Sequence, residues 1–334
     1  MEFDLPFIWG LLIAFAVFAY VCLDGFDLGV GILFPFVRGR EQRDTMISSI
    51  APVWDGNETW LVLGGGALYA AFPLAYAVLM PALYAPLIAM LLGLIFRGVA
   101  FEFRSRSRRK KDLWDIGFSL GSMVAALAQG IALGAIVQGI AVDGRAYAGG
   151  WFDWLTPFTI MTAVALVIGY ALLGATWLIW KTTDELQAQM RRLALPLAGA
   201  LVLAIGGVSL WMTLMDPAFA DRWFGWPAIA WVWPVPLLVL AVGVGFLRSV
   251  RGGRDALPYL LVLAWFLLSY IGLAISLYPY IVPPAITYQV AAAPDSSLGF
   301  LLVGALILLP IILAYTAYAY WVFRGKVTGK EHYH

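Results

Sequence analysis

An all-α, polytopic membrane fold is what this amino-acid sequence predicts. Of its 334 residues, 62% are hydrophobic and only 12% are charged. A soluble domain carries roughly 25% charged residues, and a surface this poor in charge would be largely apolar in water. The apolar residues also gather in long runs, and the basic residues fall between alternate pairs of those runs. Together these features exclude the soluble globular classes.

A membrane-crossing helix needs about 20 predominantly apolar residues. Nine stretches qualify, at approximately 8–34, 50–72, 77–100, 117–139, 156–180, 195–215, 229–247, 257–279 and 299–323. With the N-terminus outside, Arg38, Arg40 and Arg43 follow the first span on the inside. Arg97 and the run Arg104–Lys111 follow the third; Lys181, Arg191 and Arg192 the fifth; Arg248, Arg251 and Arg254 the seventh; Arg324, Lys326 and Lys330 the ninth. Nineteen of the 21 Lys and Arg residues then lie inside, leaving Arg145 and Arg222 outside. That is the bias the positive-inside rule demands. Nine spans with a periplasmic N-terminus and a cytoplasmic C-terminus are therefore expected, as one transmembrane domain over residues 1–334.

The remaining segments are short. The run Tyr280–Ala293 contains Pro283-Pro284 and is expected as an interfacial loop. Trp151, Trp154, Trp223, Trp226, Trp231 and Trp233 stand at span boundaries, as interfacial anchors do. Met1–Asp4 holds no basic residue, so no cleaved signal peptide is expected. No GxGxxG or Walker sequence occurs, and no soluble domain is expected.

Composition also limits the chemistry. The two histidines, His332 and His334, sit in the last three residues, and Cys22 is the single cysteine. Imidazole is the commonest metal ligand and the usual haem ligand. No metal site is expected here, so haem, copper or iron–sulfur work would fall to another chain. The formal net charge of +1 points to no nucleic-acid partner.

Ionisable residues inside a membrane segment are functional candidates by default. Asp24 and Asp27 close the first span, and Asp55 and Glu58 open the second, flanked by Trp54 and Asn57. Each pair is spaced by three, which places both carboxyls on one helical face. Both pairs lie in the cytoplasmic half. They form either a proton route or a structural cluster neutralised by Arg97. Gly25, Gly29 and Gly31, and Gly64–Gly66, are expected at close helix contacts. Glu102 and Asp115 flank the basic run Arg104–Lys111, where a solvated face able to meet anionic lipid is expected.

These residues carry a family resemblance. Asp24-Gly25-Phe26-Asp27-Leu28-Gly29-Val30-Gly31 resembles the first signature of subunit II of cytochrome bd-type quinol oxidases. Ser49-Ile50-Ala51-Pro52-Val53-Trp54-Asp55-Gly56-Asn57-Glu58-Thr59-Trp60-Leu61 resembles the second. Phe96-Arg97-Gly98-Val99-Ala100-Phe101-Glu102-Phe103-Arg104-Ser105 resembles the third. The compact length is similar to the short, cyanide-insensitive branch. The resemblance implies two four-helix bundles plus one peripheral helix, packed against a haem-bearing subunit I that holds haem b and haem d, or b alone. It implies quinol oxidation, reduction of O2 to water, and a proton path in which Asp55 matches the family's acid. Asp24, Asp27 and Arg97 match the charged groups near it. Glu58 stands where some relatives carry a neutral amide. A small single-helix accessory subunit and a structural quinone occur in some members, but no motif in this sequence assigns the quinone. The competing readings are a proton-coupled secondary transporter and an intramembrane prenyl transferase. The second would want Asp-x-x-x-Asp metal sites.

Overall fold

The computed structural model describes residues 4–107 and 109–327. The N-terminal Met1–Phe3, Arg108 of the basic run, Lys330, His332 and His334 lie outside the described residues. Fourteen helices and two small hairpins follow in order among them. Helix α1 (Leu5–Leu33) starts where the Asp4 carboxylate accepts the Phe7 N–H at 3.0 Å, occupying one of the orphan donors of the first turn. A polar helix α2 (Arg40–Ile50) precedes α3 (Trp54–Ala71), α4 (Pro73–Ala82), α5 (Tyr84–Arg106) and α6 (Lys111–Gln138). Strands β1 (Val142–Asp143) and β2 (Ala146–Tyr147) pair antiparallel, turning at Gly144, whose φ of 58° suits glycine.

Helix α7 (Pro157–Lys181) opens with a reciprocal Thr156–Thr159 capping box. Then come α8 (Asp184–Met215), α9 (Pro217–Phe224), α10 (Ile229–Val232), α11 (Pro234–Arg251) and α12 (Leu257–Leu277). The antiparallel pair β3 (Tyr280–Val282) and β4 (Ile286–Thr287), the turn α13 (Tyr288–Ala291) and α14 (Asp295–Val322) complete the order.

Eight helical segments among the described residues are long and apolar enough to cross a membrane. The expected second span is not among them. Helix α3 has 18 residues, or about 27 Å at 1.5 Å per residue, and its first two turns carry Asp55, Asn57 and Glu58. The expected third span, 77–100, is two helices meeting at Leu83, with Pro81 in one and Pro86 in the first turn of the next. Helix α8 begins eleven residues before the expected start at 195, because its first turns are polar and escape a hydropathy reading. Leu186 and Met190 are nonetheless buried on its inner face. The expected interfacial loop is a hairpin and turn with Val282, Ile286 and Ala291 buried. It covers the end of the molecule opposite the basic one: Ile140 N–H donates to Pro283 O at 2.9 Å and Ala293 N–H to Ala71 O at 2.9 Å.

Helix α1 is central, packed against α3, α6 and α7. Its glycines make that possible. A Cβ on Gly29 would lie 1.8 Å from the Tyr170 carbonyl oxygen, and one on Gly174 would lie 2.4 Å from the Gly29 carbonyl carbon. Small residues at such crossings let van der Waals packing operate where lipid removes the hydrophobic drive. Of the expected glycine contacts in α3, Gly64 meets Val17 at 3.5 Å, whereas Gly65 and Gly66 meet nothing within 4 Å.

At the basic end, two polar networks tie the segments together. Arg104 Nε donates to Asp115 at 2.5 Å and its Nη1 to Asp44 at 2.6 Å, while Arg43 Nη1 donates to Asp115 at 2.9 Å. Asp115 is therefore buried in an ion-pair network, not on the solvated face expected from its neighbours; Glu102 is exposed. In the second network, Asp255 accepts from Arg191 and, at 2.6 Å, from Lys326. Val327 N–H also donates to Lys181 O at 2.7 Å. Burial alone would raise the Asp255 carboxyl, but the Lys326 hydrogen bond and charge, with Arg191, outweigh it and hold the carboxyl below its usual range.

Two outcomes are expected. Gly29→Leu should prevent α1 and α7 from meeting and sharply reduce recovery of folded protein, whereas Gly65→Ala should leave the thermal midpoint in detergent unchanged. The Asp255 clasp gains its stability from a lowered pKa, so it should hold above the ordinary aspartate value of about 3.9. It should weaken as pH falls through its lower folded value. Trypsin cleavage after Arg324 should therefore stay slow from pH 8 to pH 5 and become fast at pH 8 in Asp255→Asn.

Candidate functional site

The site is built where α1, α3, α5 and α14 approach one another near the basic end. Asp24 and Asp27 sit one turn apart on α1, both with 0% exposure. Arg97 on α5 is 1% exposed and reaches between them. Its Nη1 donates to Asp24 Oδ1 at 2.6 Å and lies 3.6 Å from Glu58 Oε1; its Nη2 lies 3.9 Å from Asp27 Oδ2. Asn57 Nδ2 donates to Asp27 Oδ2 at 2.7 Å and to Leu23 O at 3.1 Å. The Tyr320 hydroxyl on α14 donates to Asn57 Oδ1 at 2.9 Å, so the amide is held from both ends. Trp54 lies beside the guanidinium, ring centroid 6.0 Å from Cζ, and packs on Phe101.

Charge balance decides what this arrangement can do. Three carboxyls surround one cation, and full ionisation would leave two uncompensated negative charges among packed side chains. Buried charge without a partner costs several kcal/mol. Moreover, Asp24 Oδ2, Asp27 Oδ1 and Glu58 Oε1 are buried without a hydrogen-bond partner among the described residues. Such oxygens have unused capacity to take up a proton or accept a hydrogen bond. A site with surplus carboxyl groups and open acceptor positions can hold and release protons.

The structure brings together Asp24, Asp27, Glu58, Arg97, Asn57 and Trp54 from the expected set. Asp55 and Glu102 stand apart from it. A spacing of three turns a helix through about 300°, which leaves the pair some 60° apart. On the C-terminal part of α1, buried without a break from Asp24 to Leu33, both acids are enclosed; on α3, at the margin of the packing, Glu58 turns inward and Asp55 is exposed. Among the described residues Asp55 makes no ion pair or hydrogen bond. The shared-face expectation thus holds for the first pair and divides the second.

Sequence reasoning missed Tyr320, and it missed a hydroxyl–amide chain deeper in the bundle. There, Tyr170 OH donates to Gln129 Oε1 at 2.7 Å and Gln129 Nε2 donates to Tyr20 OH at 2.8 Å. Tyr20 in turn lies within electrostatic reach of Asp24. No spacing rule links these residues, which come from distant helices. Among the described residues, no group of three or more His, Cys, Asp or Glu side chains could hold a metal ion.

Comparison with known proteins bears on the same residues. The family described as cytochrome bd terminal oxidase subunit II matches residues 5–323. The chain belongs to that family. Cytochrome bd-I ubiquinol oxidase subunit 2 of Escherichia coli (strain K12) is 31% identical over 367 residues, covering 98% of this chain and 96% of the relative. Cytochrome bd ubiquinol oxidase subunit 2 of Bacillus subtilis (strain 168) is 30% identical over 342 residues, covering 97% of each. A chain in the solved structure of bd oxidase from Geobacillus thermodenitrificans superposes with a TM-score of 0.78, over 96% of this chain and 99% of that one. At 17% identity this likeness speaks for the fold. This family member is thus one subunit of a terminal oxidase complex, a multi-pass protein of the bacterial inner membrane.

Removing the guanidinium should expose the charge imbalance directly. Arg97→Ala should cut the yield of intact complex in mild detergent, since breaking a buried pair costs about 3–5 kcal/mol. Adding Asp24→Asn to Arg97→Ala should recover part of that yield. Equal yields for the single and double variants would show that the two groups are not energetically linked.

Proposed function

We propose that this chain is the haem-free subunit II of a bd-type quinol:dioxygen oxidoreductase, and that it takes up protons from the cytoplasm through the Asp24–Asp27–Glu58–Arg97 cluster. The observation that carries this reading is the surplus of two carboxyls over one buried guanidinium, with carboxylate oxygens left open. Each dioxygen reduced to water consumes four electrons and four protons. Quinol supplies the electrons, and the haems of subunit I, b with d or b alone, carry the oxygen chemistry. The second contribution of this chain is assembly, as the scaffold against which subunit I packs.

Nine crossings with the N-terminus outside fit this role. Helix α3, too polar at its start to count by hydropathy, makes the ninth, with its charged first turns at the cytoplasmic boundary. That orientation puts Arg43, Arg104 and Lys326 at the cytoplasmic face and the cluster in the cytoplasmic half of the bundle. Asp55, exposed on the flank of α3, is then the acid best placed to meet a partner subunit or interfacial water. An ionised carboxylate left facing lipid would cost several kcal/mol.

Within the cluster, Arg97 keeps the carboxyls together, and Asn57 fixes the rotation of Asp27. Protons then pass between oxygens that are already held close. The acids work as a store and relay and make no contact with quinol or dioxygen. The same acids could serve a proton-coupled transporter, but the family match runs over nearly the whole chain and gives that reading no support.

Asp27→Asn and Glu58→Gln keep shape while removing a protonatable oxygen. Each should assemble with an ordinary reduced-minus-oxidised haem spectrum. Quinol-driven oxygen uptake should fall roughly tenfold, a barrier increase of about 1.4 kcal/mol. Ordinary turnover in assembled complexes carrying both changes would overturn the proton role.

A further inference from the structure

A cavity of about 270 Å³ opens at the basic end beside the acid cluster. Its wall mixes the polar groups of Ser48, Lys181, Tyr320 and Lys326 with apolar side chains such as Trp177 and Phe323. A water molecule occupies roughly 30 Å³ of liquid and needs two to four polar partners, so the space and its hydroxyl and ammonium lining suit several waters. Tyr320 belongs to both the cavity wall and the acid cluster. Its hydroxyl is bonded to Asn57, and Asn57 is bonded to Asp27, so two hydrogen bonds separate the wall from a buried carboxyl. Asp27 Oδ1 itself has no hydrogen-bond partner among the described residues.

The other walls are fixed. The Tyr320 ring meets Phe26 edge-on at 6.4 Å and Trp177 at 6.2 Å between centroids. Lys181 Nζ donates to Phe323 O at 2.5 Å and Gly325 O at 3.0 Å, and Lys326 Nζ donates to Thr182 O at 3.1 Å. These bonds hold the residues after α14 across the cavity as its floor.

We propose that this cavity is a water vestibule from which Asp27 takes its proton, with Tyr320 as the positioning residue that holds Asn57 and Asp27 in register with it. The inference rests on the reading of the cluster as a proton route and adds the place where that route meets the cytoplasm. In the loading step a water that enters past Tyr320 carries one proton from the vestibule to the buried Asp27 Oδ1: an O–H bond of the hydrated proton breaks as the carboxyl O–H bond forms. Asn57 carries no proton; its amide orients the acceptor. The titratable groups around Tyr320 are Asp27 and Asp24 on α1 and Tyr259 on α12, with Lys181 and Lys326 across the cavity.

The test uses the assembled oxidase. Tyr320→Phe keeps the ring packing and removes the hydroxyl. It should leave the haem spectrum unchanged, slow oxygen uptake several-fold and enlarge the solvent deuterium isotope effect. In a second arm, Ser48→Cys is treated with a charged methanethiosulfonate reagent, against the equally treated parent chain, whose Cys22 is buried. Labelling should slow turnover several-fold relative to the unlabelled variant. Ordinary turnover and isotope effect in Tyr320→Phe, failure of Ser48→Cys to react, or full labelling with unchanged turnover would each overturn the vestibule. Asp27→Asn separates the two readings. If it slows turnover while the Tyr320 and Ser48 arms do not, the vestibule alone is wrong; if it too is without effect, the proton route is wrong with it.

Discussion

A guanidinium buried in a membrane helix sets the terms for the rest of this structure. Arg97 cannot stay in hydrocarbon without anionic partners, and those partners are on α1 and α3. So α1 has to stand within hydrogen-bonding distance of α5, although the two are separated by the hairpin-like excursion through α2, α3 and α4. The glycines of α1 answer that requirement: by letting α7 lie almost backbone to backbone with α1, they allow α1 to sit at the middle of the packing. Asp24 and Asp27 are enclosed as a result. The helix crossing and the ion cluster are therefore one structural fact, and neither would be stable without the other.

The same demand explains the shape of α3. A helix that must deliver Asn57 to Asp27 and Glu58 to Arg97 carries Asp55, Asn57, Glu58 and Thr59 in its first two turns and forfeits the uniform apolar composition of its neighbours. Its exposed flank retains Asp55, while the inward flank is occupied by groups already committed to Asp27 and Arg97. Two carboxyls three residues apart thus face different surroundings. This division separates three clustered carboxyls inside the bundle, Asp24, Asp27 and Glu58, from Asp55 on its surface.

Much of this was legible in the chain because charge inside an apolar run is anomalous. Asp24, Asp27 and Arg97 stand out for that reason, and hydropathy located most of the long helices. The apolar run across Leu83 was not divisible by composition, since both halves are equally apolar and only Pro81 and Pro86 hint at the break. The polar start of α8 and the burial of Asp115 were hidden for the opposite reason. A charged segment beside a membrane span reads as solvated until the partners that bury it, here Arg43 and Arg104, are known. Tyr320 gave no signal, as one of 15 tyrosines in a chain where aromatic residues mark every boundary. Its role comes from contact with Asn57, 263 residues away, and no periodicity encodes that.

The two ends of the molecule differ in how they admit water. The end opposite the basic one is covered by a hairpin whose Val282 and Ile286 pack with Trp9, Phe72 and Val78 in an apolar cluster. The basic end is held by ion pairs, some buried and some half-exposed, and carries a cavity whose wall includes the Lys181, Lys326 and Tyr320 polar groups. Apolar packing excludes water, because no group in it can replace a water molecule's hydrogen bonds. Ion pairs and hydroxyls admit it. The acid cluster therefore stands nearer the end that admits water than the end that excludes it. That contrast follows from where the sequence places its arginines and where it places its tryptophans and valines.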